Sequence, residues 1–218
     1  MSFVPYRFLG RVCYPCRFVK GIPDESGDDL LDLAESCRLD NFAAMDGKPN
    51  FADVRTAWNS KGLAAQVTVS GKEEAPHGDP ARPRFSDGVT LWIDTRDARA
   101  SHRASRFCHQ FHLLPAAGGA DRDEPILLQA KINRAQQDAP MADLSEIPFQ
   151  AVPRKGGYRV EVFFPADALN GFDPDEHPRL GFYYSVRDQE LGEQVPVVGS
   201  EFPYSDDPSL WVVLELVK

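Results

Sequence analysis

The chain is poor in cysteine and methionine, has no long apolar run, and holds little that would support a long helix. Its 218 residues include four cysteines and three methionines. Cys13, Cys16, Cys37 and Cys108 are too few and too scattered to staple a chain of this size, so no disulfide framework is expected. No stretch is apolar for long enough to span a bilayer. The opening "MSFVPYRFLGRVCYPCRF" has no long apolar segment after its first basic residue. No secretory leader is therefore expected, and the chain is expected to be cytoplasmic. Basic residues are also in deficit: 24 Lys and Arg stand against 33 Asp and Glu, a net charge of −9. That balance excludes a general nucleic-acid binder, whose affinity rests on cations neutralising phosphates. GxGxxG, GxxxxGK[ST], HExxH and GxSxG are all absent.

What the chain does have is strands. "VRTAWNSKGLAAQVTVSG" reads as two, Val54–Trp58 and Leu63–Val69, joined by an Asn-Ser-Lys-Gly turn in which Gly62 can take positive φ. "GVTLWID", "RFCHQFHLL" and "PILLQAKIN" follow. "PFQAVPRKGGYRVEVFFP" is a second hairpin turning at Lys155-Gly156-Gly157, and "RLGFYYSVRD" and "SLWVVLELV" complete the set. Short strands separated by Gly, Pro and Asp turns predict an all-β fold, an antiparallel β-sandwich of two sheets with jelly-roll character. One domain is expected, with residues 1–50 as an irregular wrap carrying a short helix at "DDLLDLAESC", and residues 51–218 as the sandwich. "PADALNG" supplies a second helical turn, stopped at Gly171.

Metal and thiol chemistry are not favoured. Cys13 and Cys16 form a CxxC, and "CHQFH" follows Cys108, but a strand sends His109 and His112 to opposite faces. No zinc site and no cofactor are expected, with calcium on scattered loop carboxylates left open, since "DTRDAR" lacks the glycine and final Glu of a calcium loop.

Six segments resemble, in order, the carbohydrate-binding modules of family nine and the wider DOMON-like sandwich group. They are "VRTAWNSKGLAAQVTV", "SDGVTLWID", "QFHL", "GGYRVEVFFPADAL", "LGFYYSVRD" and "DPSLWVVLEL". The resemblance covers about residues 51–216. It implies the sandwich fold and a carbohydrate ligand, such as an oligosaccharide gripped at its end between two tryptophans. Here the first tryptophan position falls near Arg84 or Phe85, and the second near Tyr204 or Ser205. Thr90 stands for the strand Glu, His112 for an Arg, and Gly71 for an Asp. The paired-tryptophan grip is missing.

One residue sits on the wrong parity. In "GVTLWID", Val89, Leu91 and Ile93 alternate with Thr90, Trp92 and Asp94, so Trp92 shares the polar face. The aligned strands place Gln110, His112, Tyr183, Ser185 and Arg187 on that face too. Rings beside amide, imidazole, hydroxyl and guanidinium groups suit a sugar. Either this face is an open ligand surface, with Arg84 and Tyr204 at its rim, or a long loop covers Trp92 and makes a second small core. Trp58 and Trp211 read as structural. A non-catalytic carbohydrate-binding domain is expected, its ligand extending to an acidic sugar that pairs with Arg84 or Arg187. The alternatives are a haem- or redox-binding DOMON-like domain, a protein-interaction domain, or an enzyme using His112, Arg187 and Asp188.

Overall fold

Two hairpins show the clearest local logic. β2 (Ala52–Asn59) and β3 (Gly62–Ser70) pair from Ala52↔Val69 to Asn59↔Gly62. Asn59 Oδ1 accepts a hydrogen bond from the Lys61 amide at 2.8 Å and shapes the turn. Gly62 serves close packing rather than the positive φ expected of it: a Cβ there would lie 2.0 Å from the Phe164 carbonyl oxygen. β7 (Phe149–Arg154) and β8 (Gly157–Pro165) close at Arg154↔Gly157, and here Gly156 does turn at φ 71.

The computed structural model describes residues 11–24, 27, 29–98 and 100–218. The remaining strands are β1 (Cys13–Phe18), β4 (Gly88–Asp94), β5 (Cys108–Gly118), β6 (Glu124–Ala130), β9 (Arg179–Asp188), β10 (Gly192–Gln194) and β11 (Val212–Val217). They form one hydrogen-bonded path, β6-β5-β4-β9-β11-β1-β2-β3-β8-β7, with β10 added to β9. The helical elements among the described residues are 3-10 turns. None of them is long and apolar enough to cross a membrane. The all-β expectation holds, while the two expected sheets are joined into one nearly closed sheet.

The join is β1, and it is parallel on both sides. Cys13–Arg17 pair with Val213–Val217 of β11, and Arg17 and Phe18 pair with Ala57 and Trp58 of β2. A strand thus lies inside the segment expected to be irregular. Pro15 sits ahead of the short β2 ladder, where its missing N–H costs no bond to that neighbour. At the far ends of the path β6 and β7 approach each other. Inside, apolar residues of both halves meet, as where Phe111 of β5 packs on Phe164 of β8 with ring centroids 4.5 Å apart.

The expected helix over "DDLLDLAESC" is replaced by extended chain and one 3-10 turn, Glu35–Cys37. The reason is on the outer face of β3 and β8. Buried Glu161 accepts from the Leu30 and Leu31 amides (3.0 and 3.3 Å), and Gln66 accepts from Leu33 (3.2 Å). Leu31 and Leu33, two positions apart, both bury against Ala57, Ala64 and Phe163. That is the period of an extended chain, not of a helix.

One further anchor fixes the loops at one end. The Lys72 side chain is 3% exposed, with its ammonium 3.1 Å from Asp87 Oδ2 and 3.0 Å from Asp188 Oδ2. Asp87 in turn accepts from the His77 and Gln189 amides, so the 72–77 loop, the start of β4 and the end of β9 are tied together.

Candidate functional site

Strand register assembles the residues singled out in the sequence. Thr90 lies opposite His112 on β5 and Ser185 on β9, and Trp92 lies opposite Gln110 and Tyr183. These six side chains share the face of β4 that points away from Leu91 and Ile93, as parity requires.

That face is not open. Trp92 is 1% exposed and Tyr183 0%. The covering element is the chain from Val195 to Trp211. Tyr204 stacks on Tyr183 (4.7 Å, 25°) and meets Trp92 edge-on at 5.5 Å. Val195, Val197 and Val198 are buried beside them, the Tyr183 hydroxyl donates to the Val198 carbonyl, and Trp211 Nε1 donates to the Tyr204 carbonyl at 2.7 Å. Of the two alternatives for the face around Trp92, the covered one holds: Trp92, Tyr183 and Tyr204 pack on one another as a second small core, withdrawing their ring surfaces from water.

The polar members form a chain of bonds. Trp92 Nε1 donates to Gln110 Oε1 at 3.0 Å. The Gln110 amide nitrogen lies 3.0 Å from His112 Nε2, and His112 Nδ1 lies 2.9 Å from Thr90 Oγ1. Indole can only donate, so the Gln110 oxygen faces it and the Gln110 NH2 donates to His112 Nε2. His112 is then neutral, with its proton on Nδ1 directed at Thr90. Burial, aided by the Arg84 charge, pushes its pKa down to about 4, in keeping with that tautomer. Ser185 and Tyr204 turn the other way: both hydroxyls donate to Glu193 Oε1, at 2.7 and 2.9 Å.

Gln110 and His112 also form the floor of a surface cleft of about 320 Å³. One wall is the loop from Ala81 to Phe85, and the other is Ala130, Lys131 and Asn133 at the end of β6. Phe85 is 67% exposed, and the Arg187 guanidinium lies 5.7 Å from its ring centroid. Arg82 is held by Asp79 (3.3 Å), and Lys131 by Asp138 (2.6 Å). Arg84 makes no ion pair among the described residues.

Of the nine side chains picked from the sequence, Arg84, Gln110 and His112 line the cleft and Arg187 braces Phe85 from behind. Thr90 and Trp92 hold the floor in place, while Tyr183 and Ser185 lie under the cover, to which Tyr204 itself belongs. Sequence reasoning missed Glu193, on a strand of three residues, and Lys131 and Asn133 on the cleft wall. No periodic signal marks either. The alternatives fare differently from the cleft. His112 has both ring nitrogens bonded, and Asp188 is committed to Lys72. Met45 and Met141 are exposed on the surface. Cys13 faces solvent and Cys16 the core, and burial pushes the Cys16 and Cys108 thiols up to about 12.

Two solved structures share this architecture almost end to end. Both are of a family 9 carbohydrate-binding module from Caldicellulosiruptor kristjanssonii, one in complex with cellotriose and one with glucose. The first is 15% identical, with a TM-score of 0.60 over 94% of this chain and 93% of that one. The second is 13% identical, with a TM-score of 0.59 over 95% and 96%. At such identity the likeness is one of fold. No family model matches the chain, and no curated protein matches it in sequence.

Proposed function

We propose that the chain is a non-catalytic carbohydrate-binding domain, and that its site is the cleft between the 81–85 loop and β5–β6. The observation that carries this reading is the exposed Phe85 ring beside a floor of amide and imidazole groups. An aromatic face gives a sugar ring its apolar contact, and fixed donors and acceptors meet its hydroxyls. Gln110 keeps one amide hydrogen free after bonding His112. The likeness to sugar-bound modules of the same fold supports the ligand class. The reading calls for no cofactor and no proton transfer, since His112 is locked in one neutral form.

Affinity should be low. Of the two positions where the resemblance implies tryptophan, one falls near Arg84 or Phe85 and the other near Tyr204 or Ser205, and the Tyr204 ring is buried. A single stacking platform remains, worth about 1 kcal/mol beyond its buried area. Calorimetric titration of a panel of neutral and acidic oligosaccharides tests this. Weak heat with at least one of them, reduced about fivefold or more in affinity by Phe85→Ala, is the expected result. No heat with any of them at millimolar ligand overturns the reading.

A further inference from the structure

Charge is distributed against the average of the chain at this cleft. The protein carries −9 overall, yet the residues lining the cleft include Arg82, Arg84 and Lys131 and not one carboxylate. The nearest acids are already engaged. Asp79 pairs with Arg82, Asp138 with Lys131, Asp206 accepts from Asn133 at 2.9 Å, and Glu193 takes the Ser185 and Tyr204 hydroxyls. The floor adds no charge, since His112 is neutral while it accepts from Gln110. Arg187 lies over the Phe85 ring and is not among the residues lining the cleft. What remains is Arg84, exposed on the cleft wall one residue from the stacking ring, with its fork of donors uncommitted to any acid among the described residues.

We infer that Arg84 makes this cleft selective for an acidic sugar, one whose ring rests on Phe85 while its carboxylate or sulfate group meets the Arg84 guanidinium. The inference rests on the carbohydrate reading above and narrows it. A guanidinium offers two parallel N–H donors that match either anion, and charge-assisted bonds of this kind are about twice as strong as neutral ones. A neutral sugar offers the Arg84 fork only hydroxyl acceptors, which gain less than a charged, two-oxygen acceptor. The exposed, single-ring platform makes this difference decisive, because the stacking energy alone is small.

The test is calorimetric titration of cellotriose, a trigalacturonate and a sulfated disaccharide against wild type, Arg84→Gln and Arg84→Lys, at low and high salt. The uronate, the sulfated sugar or both should bind at least about tenfold more tightly than cellotriose, with the preference shrinking at high salt. Which of the two anions binds identifies the acidic group. Arg84→Gln should bring the acidic-to-neutral ratio close to one, and Arg84→Lys should restore part of it. Cellotriose binding as tightly as both acidic ligands overturns the inference and leaves the carbohydrate reading standing. So does an acidic preference that survives Arg84→Gln. Silence from all three ligands overturns both.

Discussion

A tryptophan on the polar parity of a strand is a common mark of a binding surface, and parity did group Thr90, Trp92, Gln110, His112, Tyr183 and Ser185 from the sequence. The grouping was legible because a period of two and antiparallel register leave one answer once the strands are aligned. The cover was not. Residues 195–211 run through Pro196, Pro203 and Pro208 without alternation, and nothing in such a stretch says what it lies on. Trp92 is therefore a packing residue whose indole N–H also orients Gln110. Trp92→Ala should lose about 3–5 kcal/mol in urea unfolding, the range for a core aromatic. A loss below about 1 kcal/mol would return Trp92 to an open face.

Among the elements, the hairpins β2–β3 and β7–β8 stood out in the sequence because turn chemistry and alternation coincide there. β1 did not, since Pro15 interrupts it and its pairing partner lies at the other end of the chain. The N-terminal wrap was misjudged for a related reason. Leu30, Leu31 and Leu33 satisfied a helical reading, and only the buried Glu161 and Gln66, more than 30 positions away, hold their amides in an extended course. Glu161 also accepts from Gln150 Nε2 at 2.5 Å and lies 3.0 Å from Arg159 Nε. Glu161→Ala strands these donors and should cost about 3–5 kcal/mol. Limited proteolysis should then cut first within residues 19–37. Unchanged protection of that segment would show that apolar contact alone holds it.

For the whole molecule, pH is the most direct probe of how completely the sheet excludes water. Burial pushes the pKa of both His109 and His112 down to about 4, against an ordinary 6.5. The unfolded chain then takes up protons below 6.5 that the folded chain refuses until near 4, so stability is full above 6.5 and drains as pH falls toward 4. The pair should remove about 2–4 kcal/mol between pH 7 and pH 5, read as a falling urea midpoint. His109→Phe, beside Phe111 in the core, should flatten that slope. An equal slope in this variant would assign the loss to other groups. The strand that closes the sheet has a consequence for how the chain is made. Cys13 pairs with Val213, 200 positions later, so on the ribosome β1 emerges before the other strands of the sheet and meets β11 only after all of them have been made. The hairpins can form as they appear, whereas joining β1 to β11 carries the entropy of closing a loop of about 200 residues. Closure of the sheet is thus the late step of a vectorial process, and until it happens β1 has only its two-residue pairing with β2 and an open edge that the nascent chain must keep from other partners.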